Sequence, residues 1–327
     1  MSIKLYFADN FKIGEPTNSF KDIIDGKTFE KNNIKIVDTI RDSNLIIAGR
    51  LCCEIIHSKR PVIICERYDS SSIGVSYNYY SSGQVKSVFK NYLPRDKKML
   101  LESTNKKRYH YHLLSKIYSD IKDDELVVDR IEPFLDKFRQ VTWRMTYTHL
   151  PINKHMKYCV DNRNKVKKDI DIFCVCHDHV DLLKTHRYDI KAKVNKLKEK
   201  YNLNIVCGNG LNQNDYHNNL IRSKICVCPW GLGERIACDQ KGILAGCVLI
   251  KPDSNFVLTY PDLYKDEYYV SVKQDLSNLV EVCMEVLGNY EKYLEKTNKA
   301  FEMLQEVTHN HFVEIFCKNI NDVFSSL

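Results

Sequence analysis

The sequence predicts an α/β fold of two domains, each a mostly parallel sheet flanked by helices. Three observations carry this. The chain has 327 residues, enough for two cores of ordinary domain size. Short apolar runs alternate with helical segments in both halves, as strands buried on both faces of a parallel sheet do. Finally, residues 223–253 read as a strand, a loop broken by Pro229-Trp230-Gly231-Leu232-Gly233, a helix and a second strand. That order is the repeating unit of a Rossmann-like domain.

In chain order, residues 3–7 predict a first strand, 34–37 and 45–48 two more, and 61–65 (PVIIC) the strongest apolar run of the first half. A polar stretch, Glu66-Arg67-Tyr68-Asp69, follows it. Residues 85–92 suit a strand or a short helix. Residues 96–119 turn basic and aromatic, with Tyr109-His110-Tyr111-His112, rings and cations of the kind that hold sugars or simply face an amphipathic helix. A Lys- and Asn-rich segment between 151 and 168 predicts the linker. The second half alternates more cleanly. Residues 170–175 predict a strand, 177–186 a polar loop, 187–201 a helix, 204–207 a strand and 215–222 a short helix. The 223–253 unit comes next, then a strand at 268–272 and helices from 276 to the end.

Composition narrows the function. Against 42 acidic residues, 49 basic ones give a net charge of +7. No long basic block is present, so nucleic acid is not an expected partner. No apolar run approaches the ~20 residues that cross a bilayer, and the amino terminus lacks the features of a signal peptide, so a cytoplasmic protein without a transmembrane segment is expected. The thirteen cysteines include no C-x-x-C pair and no Cys/His spacing suited to zinc. They are expected to be reduced core residues.

A glycine-bearing loop between a parallel strand and a helix offers free N–H groups and a helix dipole to a phosphate. Two glycines two apart are not specific by themselves. The whole stretch says more: the SKI run, Pro229 to Glu234, a helix ending in Ala245-Gly246, then VLIKPD and Thr259-Tyr260-Pro261-Asp262-Leu263-Tyr264. Together these resemble the donor-binding half of GT-B glycosyltransferases of the group 1 and exostosin-like kind, over residues 169–290 or so. The resemblance implies two Rossmann-like domains facing a cleft (GT-B), with residues 1–160 on the acceptor side and 161–327 binding the nucleotide sugar. In the family the last helix crosses back to the first domain, and residues 307–324 suit that by position, while their apolar residues equally suit completing the second domain. The expected activity is transfer of a sugar, hexosyl or pentosyl, from a nucleotide sugar to a carbohydrate or glycan acceptor. No cofactor and no metal are expected, since GT-B enzymes generally do without the metal that a D-x-D motif holds, and Asp169-Ile170-Asp171 opens a strand. His177-Asp178-His179 is expected to be a solvated loop.

Candidate site residues follow. Glu66 and Asp69, at the carboxyl end of a buried strand, are the candidate general bases. Arg187 is placed to clamp a diphosphate, Trp230 to cover a base or ribose, and Gly231 and Gly233 to let the backbone approach phosphates. Glu234 is the leading carboxylate for hydroxyls, while Arg235 and Asp239, four apart on the predicted helix, join the set or form a local ion pair. One departure stands out. Family members commonly carry a Glu-Ala pair five residues before the glycine matched by Gly246, whose carboxylate holds the ribose; here Lys241-Gly242 stands there. The alternative is therefore a non-catalytic nucleotide- or carbohydrate-binding protein with a degenerate donor site. A nucleotide-sugar epimerase or other Rossmann enzyme is disfavoured by the lack of an amino-terminal G-x-G-x-x-G.

Overall fold

The computed structural model describes residues 2–8, 26–66, 80–102, 109–120, 131–141, 154–177, 181–231, 233–234, 237–307 and 309–327. The first half contributes strands β1 (Ile3–Phe7), β2 (Ile34–Ile36), β3 (Leu45–Ala48), β4 (Val62–Glu66), β5 (Val85–Lys90), β6 (Leu93–Pro94) and β7 (Phe138–Gln140), with helices α1 (Gly26–Lys31), α2 (Cys53–Ser58) and α3 (Tyr109–Ser115). All but β6 form one sheet in the order β2-β1-β3-β4-β5-β7. Every pairing in it is parallel. β3 and β4 are buried along their whole length, which explains why LIIA and VIIC are continuous apolar runs rather than alternating ones.

The second half runs α4 (Lys154–Asn162), β8 (Ile170–Val175), α5 (Asp181–Tyr201), β9 (Ile205–Gly208), α6 (Gln213–Ile221), β10 (Ser223–Val227), α7 (Ala237–Leu244), β11 (Val248–Pro252), β12 (Val257–Leu258), β13 (Val270–Val272), α8 (Leu279–Gly288), α9 (Tyr290–Glu306) and α10 (His309–Ser325). Its sheet is ordered β13-β11-β10-β8-β9, and it too is parallel throughout. Numbering the strands of each sheet in chain order gives 2-1-3-4-5-6 in the first and 2-1-3-4-5 in the second, so both begin with the doubly wound order of Rossmann-like sheets. The predicted α/β class with two such sheets is what the chain adopts.

The structure corrects the sequence reading at one helix start, decides one element it left open and adds short strands it did not contain. α5 begins at Asp181, where a polar loop to His186 is expected. The buried residues Leu183, Arg187, Ile190, Val194 and Leu197 fall four and three apart, so the helical stripe starts earlier than its apolar members alone reveal. Residues 85–92 resolve to a strand, because β5 pairs with β4 and β7 on both sides. β7 and the antiparallel pair of β6 with β12 are too short to carry a pattern.

Several contacts join the halves. Val257 and Leu258 pair with Pro94 and Leu93, and beside them the Arg95 guanidinium forks onto the Asp262 carboxylate at 2.9 and 2.7 Å. α10 leaves the second half to pack Val313, Phe316, Cys317, Ile320 and Val323 into the core of the first sheet, with Ile3, Leu5 and Ile63. Phe316 meets Phe89 edge to face at 5.8 Å. Residue 160 falls inside α4, whose Met156 and Cys159 belong to the core of the second half. The end of the charged segment is tied there as well: Arg163 lies over the Phe301 ring at 3.7 Å, and Lys168 donates to the Ala245 carbonyl at 2.6 Å. Gly246, with φ of 77°, ends α7 in the left-handed conformation that glycine adopts without penalty.

Truncating Phe316 empties a fully buried position between α10 and the first sheet. Phe316→Ala is expected to destabilise the chain by about 3–5 kcal/mol, read as a lowered midpoint in urea unfolding.

Candidate functional site

Open α/β sheets bind ligands at the carboxyl edge where the strand order reverses. In the second sheet that switch lies between β8 and β10, because the chain leaves β8 for β9 on one side and returns to β10 on the other. Two loops flank it: Cys176-His177 after β8, and Cys228-Pro229-Trp230-Gly231 after β10. Arg187, in the second turn of α5, bridges them. Its Nη1 donates to the His177 carbonyl, and its Nε and Nη2 donate to the Trp230 carbonyl at 3.4 and 3.3 Å. One turn further, Lys191 donates to Asn209 Oδ1 at 2.7 Å, just past β9. Two cations thus sit along one edge. Their field reaches Cys176, whose thiol is held below its ordinary value first by a hydrogen bond with Cys174 and then, against burial, by the charges of Lys191 and Arg187.

The loop after β10 is fixed from beneath. Lys251, fully buried on β11, donates to the Pro229 carbonyl at 3.1 Å. Its ammonium lies 3.3 Å from each carboxylate oxygen of Asp239. Tyr264 donates to the same carboxylate at 2.5 Å, and its hydroxyl lies 3.4 Å from the Glu234 carbonyl. Trp230 donates from Nε1 to Ser254 Oγ at 2.8 Å, and Gly231 donates its N–H to the Gly233 carbonyl at 3.0 Å. Trp230 is completely buried. Its ring stacks on His186 at 5.7 Å and packs with Leu114 of α3 and Leu183 of α5.

The candidate residues therefore divide. Arg187, Gly231, Gly233 and Glu234 gather at the carboxyl edge, Glu234 with no exposed surface. Trp230 is there too, but its ring is a core element and not a cover for a base. Asp239 faces inward to Lys251 and Tyr264, so it serves the loop and is not placed against a ribose. Arg235 and Asp69 lie outside the described residues, as do Asp178 and His179. Glu66 is buried at the end of β4 and ion-paired with Lys90 of β5; the carboxylate offered as a general base is instead half of an internal pair. Lys241 places its ammonium 5.2 Å from the centroid of the Tyr216 ring.

Sequence reasoning does not find Lys191, Lys251 or Tyr264. Lys251 and Tyr264 lie within the two motif stretches that carry the resemblance, yet no spacing marks them as partners of Asp239, 12 and 25 residues away. For metal binding, one set of three ligating side chains converges among the described residues: Cys226, Cys228 and Cys238.

No family model and no curated protein matches the chain. Among solved structures it is similar to the GtfA/B complex, with 10% identity and a TM-score of 0.46 over 85% of this chain, which spans 57% of that one. It is also similar to Anabaena HepE in complex with UDP-glucose, at 9% identity and a TM-score of 0.42, covering 99% of this chain and 100% of that one. An alpha1,3-fucosyltransferase matches at 10% identity and a TM-score of 0.41, over 95% and 92% of the two chains. No described helix is long and apolar enough to cross a membrane.

The buried pair predicts a specific asymmetry. Asp239→Ala leaves the Lys251 ammonium buried without its carboxylate and is expected to cost about 3–5 kcal/mol. Asp239→Leu combined with Lys251→Met is expected to recover much of that, measured as unfolding free energies in a double-mutant cycle.

Proposed function

We propose that the chain is a glycosyltransferase of the GT-B kind, which holds a nucleotide sugar at the β8/β10 edge and transfers the sugar to a carbohydrate or glycan acceptor bound by the first half. The observation that carries the reading is Arg187. It is locked between the two loops of the switch point, with Lys191 beside it, where a diphosphate would meet both cations next to the loop that carries Gly231 and Gly233. The motif resemblance across this same loop supports it, as does the 2-1-3-4-5 order that the second sheet shares with the first five strands of the first.

Reaction at the anomeric carbon would draw on three effects. Holding donor and acceptor together converts a bimolecular encounter into an intramolecular one. Arg187 and Lys191 stabilise the charge that develops on the departing diphosphate. If the reaction inverts, a base in the first half takes the proton of the attacking hydroxyl. Glu66 is engaged by Lys90, so that role is assigned to Asp69. Diphosphate stabilisation by side-chain cations fits transfer without a catalytic metal. The positive edge suits an anionic sugar nucleotide rather than a nucleic acid, and a cytoplasmic setting fits thirteen free cysteines.

A second reading has its own observation. With Lys241 turned onto Tyr216 and Trp230 sequestered, the donor site lacks a family contact, which favours a protein that binds nucleotide or carbohydrate without turnover.

A thermal-shift panel of UDP, GDP, CMP and dTDP separates these. A ligand at one hundred times its dissociation constant stabilises the native state by about 2.7 kcal/mol. One nucleotide is expected to raise the midpoint without Mg²⁺, and to do so less in Glu234→Ala and Arg187→Lys. No shift with any nucleotide overturns the donor site; saturable binding with no sugar transfer or hydrolysis supports the second reading. Asp69→Asn is expected to lower kcat by roughly 10²–10⁴-fold in a transfer assay, with nucleotide affinity unchanged.

A further inference from the structure

Cys226 and Cys228 stand two apart at the carboxyl end of β10, so both side chains reach the same face of the sheet. α7 returns over that face and brings Cys238 to them from the far side of the loop. Cys226 Sγ is 3.4 Å from Cys228 Sγ and 3.8 Å from Cys238 Sγ, and all three sulfurs lie within 4.8 Å of one another. Thiolates held at the ~2.3 Å Zn–S distance of a tetrahedral centre stand about 3.8 Å apart. The sulfurs are thus already at the separation a shared ion requires.

We propose that Cys226, Cys228 and Cys238 form a binding site for one thiophilic d10 cation, zinc(II) or copper(I), which clamps the first turn of α7 to the end of β10. Three sulfur ligands select soft or borderline metals over magnesium or calcium. Copper(I) is satisfied by the three sulfurs alone, whereas zinc(II) takes one further ligand, for which the Tyr216 hydroxyl, a near neighbour of Cys238, is at hand. Two neighbouring features fit the role. Gly242 lies so close that an added Cβ would meet Cys226 Cβ at 3.1 Å and Sγ at 3.2 Å, so glycine lets α7 approach this nearly without Cys226 giving way. Cys226 and Cys228 are buried while Cys238 is half-buried, which leaves the ion a way in from the α7 side. The cation would brace residues 228–238 from one end, as Lys251 and Asp239 do from beneath. Its role is structural, and it is independent of whether a nucleotide sugar binds above.

The test is metal titration of the full chain, stripped of metal, reduced and anaerobic, with no nucleotide present. Co²⁺, as a surrogate for zinc, and Cu⁺ are added separately while thiolate-to-metal charge-transfer absorption is followed against a competing chelator. One equivalent of either metal is expected to give a saturable band, Co²⁺ pointing to a four-coordinate site and Cu⁺ alone to a trigonal one. Cys238→Ser, at the half-buried position, should weaken binding by about 100-fold or more, and Cys228→Ser likewise, while Cys283→Ser, in a different core, should leave it unchanged; circular dichroism checks that each variant is folded. No band with either metal, or a band that survives Cys238→Ser, overturns the site.

Discussion

The loop after β10 depends on one buried ion pair. Lys251 and Asp239 have no exposed surface, and a buried pair of this kind adds little net stability, because desolvation offsets most of the attraction. What the pair supplies is position. Lys251 holds the Pro229 carbonyl while Asp239 holds Tyr264, and the Tyr264 hydroxyl in turn lies against the Glu234 carbonyl. Proline, glycine and tryptophan alone would leave the loop many conformations. The pair selects one, and with it the direction of the Trp230 carbonyl that accepts from Arg187.

From that point the architecture is continuous. Arg187 links the loops on both sides of the switch, so the carboxyl edges of β8 and β10 are fixed relative to each other by a helix that belongs to neither strand. Trp230 passes the constraint outward through His186, itself edge-on to Tyr118 at 6.0 Å, to the region around α3. Tyr118 also donates to Asp189 of α5 at 3.0 Å. The segment holding residues 112–120 is therefore seated on the second half, close to the candidate donor edge, while α10 makes the opposite crossing into the first core. Each half lends the other an element.

Much of the fold is legible in the sequence because parallel sheets need strands buried on both faces. LIIA, VIICE and IDIFCV admit few other readings. The start of α5 is less legible, since Arg187 and His186 are buried there through hydrogen bonding and stacking, and polar residues do not register as an apolar stripe. Of the candidate site, Arg187, Gly231, Gly233 and Glu234 are recoverable from a loop between strand and helix. Asp239 is misread because a carboxylate four residues from an arginine has a local explanation, and its actual partners are remote in sequence. Glu66 is misread for a related reason: its partner Lys90 comes from the adjacent strand, in register with it.

The sequence by itself determines the class of fold, the succession of strands and helices along the chain and the place of the loop, because these follow from local periodicity and from glycine and proline. Only the tertiary structure decides which polar groups face a ligand and which face one another. Asp239, Lys251, Tyr264 and Trp230 look equally available as letters, but packing buries all four and pairs each with a partner 12 to 25 residues away. The three cysteines behave in the same way: Cys226 and Cys228 are neighbours by strand geometry, whereas Cys238 joins them only because α7 folds back over β10. A side chain's chemistry is set by its neighbours in space, and the chain chooses those only on folding.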